Sequence, residues 1–134
     1  MKLKVLLDSF ALLAYLNRED GFEKVRKVLA KAQKSDGMVL MNEINLGETY
    51  YVLCKERGSE KAEYFLDTIL AGLPILRIGN SFENVIDAAR IKAKYPLSFA
   101  DCFVAASALR EKAVIITGDP EFRNIEHMVK IDWI

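Results

Sequence analysis

An α/β fold built on a parallel sheet is the architecture this sequence predicts, and three observations predict it. Short runs of β-branched and aliphatic residues alternate with longer helical patterns, and strand alternating with helix yields parallel strands joined by helical crossovers. The acids Asp8, Glu48, Asp101 and Asp119 fall where a strand gives way to a helix, or inside a helix beside such a junction. The chain has 134 residues, near the commonest size of one domain, and 51% of them are apolar, ample for a core covering both faces of a sheet. A single domain over residues 1–134 is the expectation.

KVLL before Asp8 is the first strand, and SFALLAYL continues into a helix over residues 9–17. A second helical pattern covers 21–34, and MVLM at Met38 to Met41 is the second strand. Helices are expected over 42–57 and 59–71, with Gly37 and Gly58 closing the helices before them. Pro74 opens the strand PILRI, and a helix over 81–94 ends at Tyr95-Pro96 because the residue before a proline disfavours helical backbone. A further helix over 98–112 leads into AVIIT, and VKIDWI finishes the chain as an edge strand.

Nineteen basic and nineteen acidic side chains give a net charge of zero, so the chain as a whole is not drawn to nucleic acid or to an anionic membrane. A polyanion must find a local basic patch. Cys54 and Cys102 lie in apolar helical contexts (YYVLCKE and ADCFVAA) and read as free core thiols, which fits a reducing, cytoplasmic setting. The N-terminal region lacks the pattern of a signal peptide, and no apolar run approaches the about 20 residues that span a bilayer.

Each acid also has a structural role available. Asp8 precedes a helix and suits an N-cap. Ser98 to Asp101, SFAD, has the form of a capping box with aspartate in the place of glutamate. Asp119 followed by Pro120 and Glu121 reads as an N-cap with proline at the first helical position. Glu48 differs: its helix INLGETYYVL is apolar around most of its circumference, which predicts a partner for this carboxylate, whether Lys55 or a site. Glu43, after a plausible Asn42 cap, compensates the helix dipole and is left outside the site.

Capping and metal binding are compatible, because one carboxylate oxygen can accept backbone N–H groups while the other faces an ion. Ligands of an open α/β sheet gather at the carboxyl ends of its strands, so acids scattered along the sequence can converge there. Converged acids require a cation. An all-oxygen set suits Mg²⁺ or Mn²⁺, while zinc would have only His127 and two separated cysteines. No GxxxxGK loop, GxGxxG turn or GxSxG elbow is present, and the lone His127 has no nearby nucleophile.

Taken together, LLDSFALLAYL, INLGETYYVL, SFADCFVAASAL and IITGDPEF resemble the four motifs of PIN-domain nucleases, particularly VapC-like toxin ribonucleases of type II toxin–antitoxin systems. The resemblance spans nearly the whole chain and places Asp8, Glu48, Asp101 and Asp119 on the four acids of the family, with Ser9 and Thr117 on the accompanying hydroxyl positions. It implies a three-layer α/β/α fold and a Mg²⁺- or Mn²⁺-dependent endoribonuclease. Asp8, Glu48 and Asp101 would hold one ion, with Asp119 binding through water or helping to hold a second. Water activated by the cation would attack phosphorus in line and leave 5′-phosphate and 3′-hydroxyl ends. For the toxin branch it further implies a homodimer, and inhibition by a small antitoxin whose segment lies in an apolar groove between helices.

Basic residues occur in pairs and series, among them Arg26-Lys27, Lys55 with Arg57, Arg90-Lys92-Lys94 and Arg110 with Lys112, and some could meet phosphates. Tyr50, Tyr51, Tyr95 and Phe99 could stack on an unpaired base, although aromatics at helical spacing more often enter the core. Four rival readings compete. A dehalogenase-type phosphatase needs a second aspartate where Phe10 stands, and a receiver domain needs an acidic pair and a lysine that LLDS and IITGD do not supply. A PIN domain of RNA processing, or a PIN-like scaffold that binds RNA or protein without cutting, remains as the alternative.

Overall fold

Five parallel strands form the sheet: β1 (Lys4–Leu7), β2 (Met38–Asn42), β3 (Ile75–Ile78), β4 (Val114–Thr117) and β5 (Ile131–Trp133), in the order β3-β2-β1-β4-β5. The structure is a computed structural model and describes residues 3–134. The helices are α1 (Ser9–Leu16), α2 (Phe22–Gln33), α3 (Glu43–Arg57), α4 (Ser59–Tyr64), α5 (Phe82–Lys94) and α6 (Phe99–Glu111).

Alternation along the strands divides the core between the two faces, since successive side chains point to opposite sides. Leu6, Leu40 and Ile115 join one cluster with Ala88 and Ile91 of α5 and Phe103 and Val104 of α6. Val5, Leu7, Val39, Met41 and Ile116 join the other, against Leu12 of α1, Val25 and Leu29 of α2, Leu46 and Leu53 of α3 and Ala62 of α4. The result is helix, sheet, helix: the three-layer arrangement expected.

The strand order places the site. From β1 the chain builds outward through β2 to β3, then returns to add β4 and β5 on the other side of β1. The topological switch therefore lies between β1 and β4, and the crevice beyond their carboxyl ends is where such sheets bind ligands. Leu7 pairs with Ile116, so Asp8 and Thr117 leave the sheet side by side at that crevice.

Local punctuation departs from expectation at two places. Gly37 does not close α2: that helix ends at Gln33, and Ser35, at φ 61°, makes the left-handed turn instead. The helix expected over 59–71 narrows to α4, followed by a π-helical turn (Phe65–Ile69) and a 3₁₀ turn (Leu70–Gly72). The widened turn holds Phe65 in the core and lets Ile69, Leu70 and Leu73 pack against the same cluster before Pro74. At the far end, VKIDWI does form the edge strand, and Ile134 packs onto Gly21, whose φ of 95° suits glycine.

Candidate metal centre

The acids reach one crevice by different local routes. Asp8 caps α1: one oxygen accepts the Ala11 N–H at 2.8 Å, and the other accepts the Thr117 hydroxyl at 2.5 Å. The Thr117 oxygen in turn accepts the Asp119 N–H at 2.9 Å, so a single hydroxyl ties the end of β4 to the starts of both α1 and the following 3₁₀ turn (Pro120–Ile125). Asp119 caps that turn by accepting the Glu121 N–H at 2.9 Å. Ser9, the first residue of α1, donates to Glu48 of α3 at 2.6 Å. Ser9 thus serves Glu48, while Thr117 serves both Asp8 and the backbone of Asp119.

The capping box at α6 is only half formed by its own residues. Ser98 accepts the Asp101 N–H at 3.2 Å, but the reciprocal bond to the Ser98 N–H comes from Glu121, at 3.3 Å. Glu121 therefore releases the Asp101 carboxylate from the role it has in a closed box, and Asp101 faces the other acids.

Oxygens of Asp101, Asp119 and Glu121 lie within 4.8 Å of one another. Asp8 and Glu48 complete the neighbourhood, close enough for their charges to act on Asp101. Glu121 is the acid that reading the sequence missed. Its signal is its place two residues beyond Asp119 in the turn, where the sequence alone reads it as a feature of the cap.

Burial pushes the Asp8 carboxyl up to about 7, against the Thr117 and Ala11 hydrogen bonds that favour its charged form, and the Asp119 and Glu48 charges add to the rise. Asp101, only 5% exposed, is likewise raised, first by burial, then by its hydrogen bond with Asp119 and by the charges of Asp119, Asp8 and Glu48. Among the described residues, none of these acids pairs with a lysine or arginine. An all-carboxylate donor set held together without a cationic side chain fits a hard divalent cation.

Asn45, fully buried one turn before Glu48, donates to the Ala100 carbonyl at 3.1 Å and so fastens α3 to the start of α6; its own side-chain oxygen has no partner. The expected burial around Glu48 is corrected on one side: Ile44 and Tyr51 are exposed, because this side of α3 faces out of the core. Lys55 lies over the Tyr51 ring, and it is Ser9 that bonds Glu48. Other candidates are engaged elsewhere. Tyr50 bonds Glu63, Tyr95 meets His127, Arg26 pairs with Glu23, and Arg90 pairs with Asp87. Both cysteines are free thiols. No described helix is long and apolar enough to cross a membrane.

Solved structures share this fold. VapBC2 from Rickettsia felis, bound to a DNA fragment from its promoter, is similar at a TM-score of 0.73 and 18% identity over 98% of both chains. The Mycobacterium tuberculosis toxin VapC20, described as cleaving the sarcin-ricin loop, matches at 0.71 and 17% over 89% of this chain and 92% of its own. DNA-bound VapBC from Salmonella typhimurium matches at 0.72 and 16% over 98% of both chains. No curated protein matches. With residues 5–128 matching the family model of the PIN domain, the chain belongs to the PIN domain family, and its structural neighbours are VapC toxins of VapBC toxin–antitoxin systems.

Proposed function

We propose that this single PIN domain is a divalent-metal-dependent endoribonuclease, the toxin of a VapBC-type pair. The observation that carries the reading is the convergence of carboxylates, two of them, Asp8 and Asp101, buried and with raised proton affinity, without a cationic side chain paired with any of them among the described residues. Asp8, Glu48, Asp101 and Asp119 would hold Mg²⁺ or Mn²⁺, with Glu121 beside Asp101 and Asp119. When bound, such an ion supplies Lewis-acid chemistry, acidifying water and offsetting charge on the phosphodiester. The protein's part is to fix the donors. Thr117 orients Asp8, Ser9 orients Glu48, and Glu121, by accepting the Ser98 N–H, leaves Asp101 turned toward its neighbours.

The structural neighbours in toxin–antitoxin complexes support a small antitoxin as partner. A cleft of about 550 Å³ lined by Leu16, Leu53, Tyr64, Phe65 and Ile69 offers the apolar groove such a segment requires, and it shares Asn17 and Arg57 with a more polar cleft of about 510 Å³ lined by Phe10, Leu13, Glu19, Asp20 and Glu56. A homodimer in a reducing cytoplasm, where both thiols stay free, completes the proposal.

The test is cleavage of a mixed RNA pool by protein freed of copurified inhibitor, with Mn²⁺, Mg²⁺ or chelator, beside Asp101→Asn. Cleavage that depends on the cation should fall in the variant by more than the about 10–100-fold that loss of an outer-shell partner costs. Undiminished cleavage by Asp101→Asn would refute the mechanism. Bound Mn²⁺ without cleavage would point to the wrong substrate, whereas failure to bind Mn²⁺ would favour the non-catalytic scaffold.

A further inference from the structure

We infer that Asn45 is a positioning residue of the metal centre: its amide ties the start of α6 to α3 and thereby sets the separation of Glu48 and Asp101, on which cation affinity depends. The inference rests on the metal-dependent reading above. Asn45 is fully buried in α3, beside Leu46, Thr49 and Leu53. Asparagine is a weak helix former, and a buried amide has to find partners at both ends. This one finds a single partner. Nδ2 donates to the Ala100 carbonyl at 3.1 Å, and Oδ1 is, among the described residues, the one buried side-chain polar atom without a partner.

For stability alone that arrangement is unfavourable. Ala100 is the second residue of α6, so its carbonyl can accept the N–H four positions on within the helix and does not depend on the amide. A made hydrogen bond only replaces one with water, whereas an unpaired buried acceptor loses its hydration outright, and the second effect is the larger. Leucine, branched at the same carbon, would leave nothing unpaired at this position.

What the amide achieves is local to the acids. Glu48 lies three residues beyond Asn45 on the same side of α3, and Asp101 directly follows Ala100. Ser9 holds Glu48 from α1, and Glu121 rather than Asp101 accepts the Ser98 N–H, so neither of those bonds relates Glu48 to Asp101. Among the described residues the Asn45–Ala100 bond is the only hydrogen bond between α3 and α6. Ion affinity depends on such outer contacts because ligands must be held within about 0.5 Å of their working positions. A comparison stands nearby: Asn42, the cap of α3, donates to Ser107 of α6 at 2.9 Å, nearly two turns beyond Asp101, and also exchanges two bonds with Asn80.

Mn²⁺ affinity by titration calorimetry and the denaturant midpoint of metal-free protein test the inference in Asn45→Leu, Asn45→Ala and Ser107→Ala, with the electron paramagnetic resonance spectrum of bound Mn²⁺ recorded for each. Asn45→Leu and Asn45→Ala should both lower Mn²⁺ affinity about 10–100-fold, the range for loss of an outer hydrogen-bond partner, and alter that spectrum. Asn45→Leu should leave the midpoint unchanged or raise it, since the unpaired oxygen goes with the amide. Ser107→Ala should lower the midpoint and leave affinity and spectrum as in the wild type. Wild-type affinity in both Asn45 variants, with or without a lower midpoint, overturns the inference and leaves the nuclease reading standing. So does a loss confined to Asn45→Leu, which would reflect crowding, or an equal loss in Ser107→Ala, which would make any loosening of α6 sufficient. A wild-type protein that binds no Mn²⁺ overturns the metal-centre reading and this inference together.

Discussion

A carboxyl group whose pKa is raised in the folded state holds a proton that the unfolded chain releases, and Asp8 illustrates the consequence. Its ordinary value is 3.8, and burial moves it up to about 7. Between those values the folded protein binds more protons than the unfolded one, so stability is fully present below about pH 4 and declines as pH rises through 7. Asp101, raised by the same burial and by its acidic neighbours, extends the decline to higher pH. We therefore expect the thermal midpoint of metal-free protein to fall from pH 4 toward pH 8 in calorimetric scans. Mn²⁺ should restore it at the alkaline end, because a cation replaces the lost protons. A midpoint that rises over this range without metal would mean that these acids are not buried together. Asp8, Glu48, Asp101 and Asp119 were legible as candidates because each stands at a junction of strand and helix. Glu121 was legible only as part of the Asp119 cap, since the bond that ties it to Ser98 joins residues far apart in the chain.

At the scale of elements, strand ends and helix starts are locked together by a few side chains. Thr117 closes β4 while its hydroxyl serves both Asp8 and Asp119. Thr117→Val keeps the β-branched shape a strand favours but leaves buried Asp8 without that donor. The variant should lose about 1–3 kcal/mol in denaturant unfolding. Its Mn²⁺ affinity, read by titration calorimetry, should fall about 10–100-fold. Wild-type affinity in this variant would show that the hydroxyl only packs. The elements themselves were largely readable: all five strands lie where aliphatic runs placed them, and caps at Asp8, Asn42, Ser98 and Asp119 start their helices. The segment after α4 was not, because its wide turn answers to the burial of Phe65, Ile69 and Leu70 rather than to local propensity.

For the whole molecule, stability resides in the two packed faces of the sheet, not in surface charge. Ile115 is fully buried on β4, and Ile115→Ala should cost about 2–5 kcal/mol. The exposed Lys24–Asp132 pair, 2.5 Å apart, joins α2 to β5, yet Asp132→Asn should cost less than about 1 kcal/mol because solvent screens it. Chemical denaturation of both variants compares the two, and a larger loss in Asp132→Asn would reverse this ranking. By itself the sequence determined the parallel α/β layering, the strand and helix positions and the candidate acids, since hydrophobic period, capping and turn chemistry act between near neighbours. Only the tertiary structure decided that Glu121 joins Asp101 and Asp119, that Ser9 rather than Lys55 answers Glu48, and that Phe10 rests on Gly118. Those contacts join residues far apart in the chain, and they exist because the switch between β1 and β4 brings the ends of distant strands to one crevice.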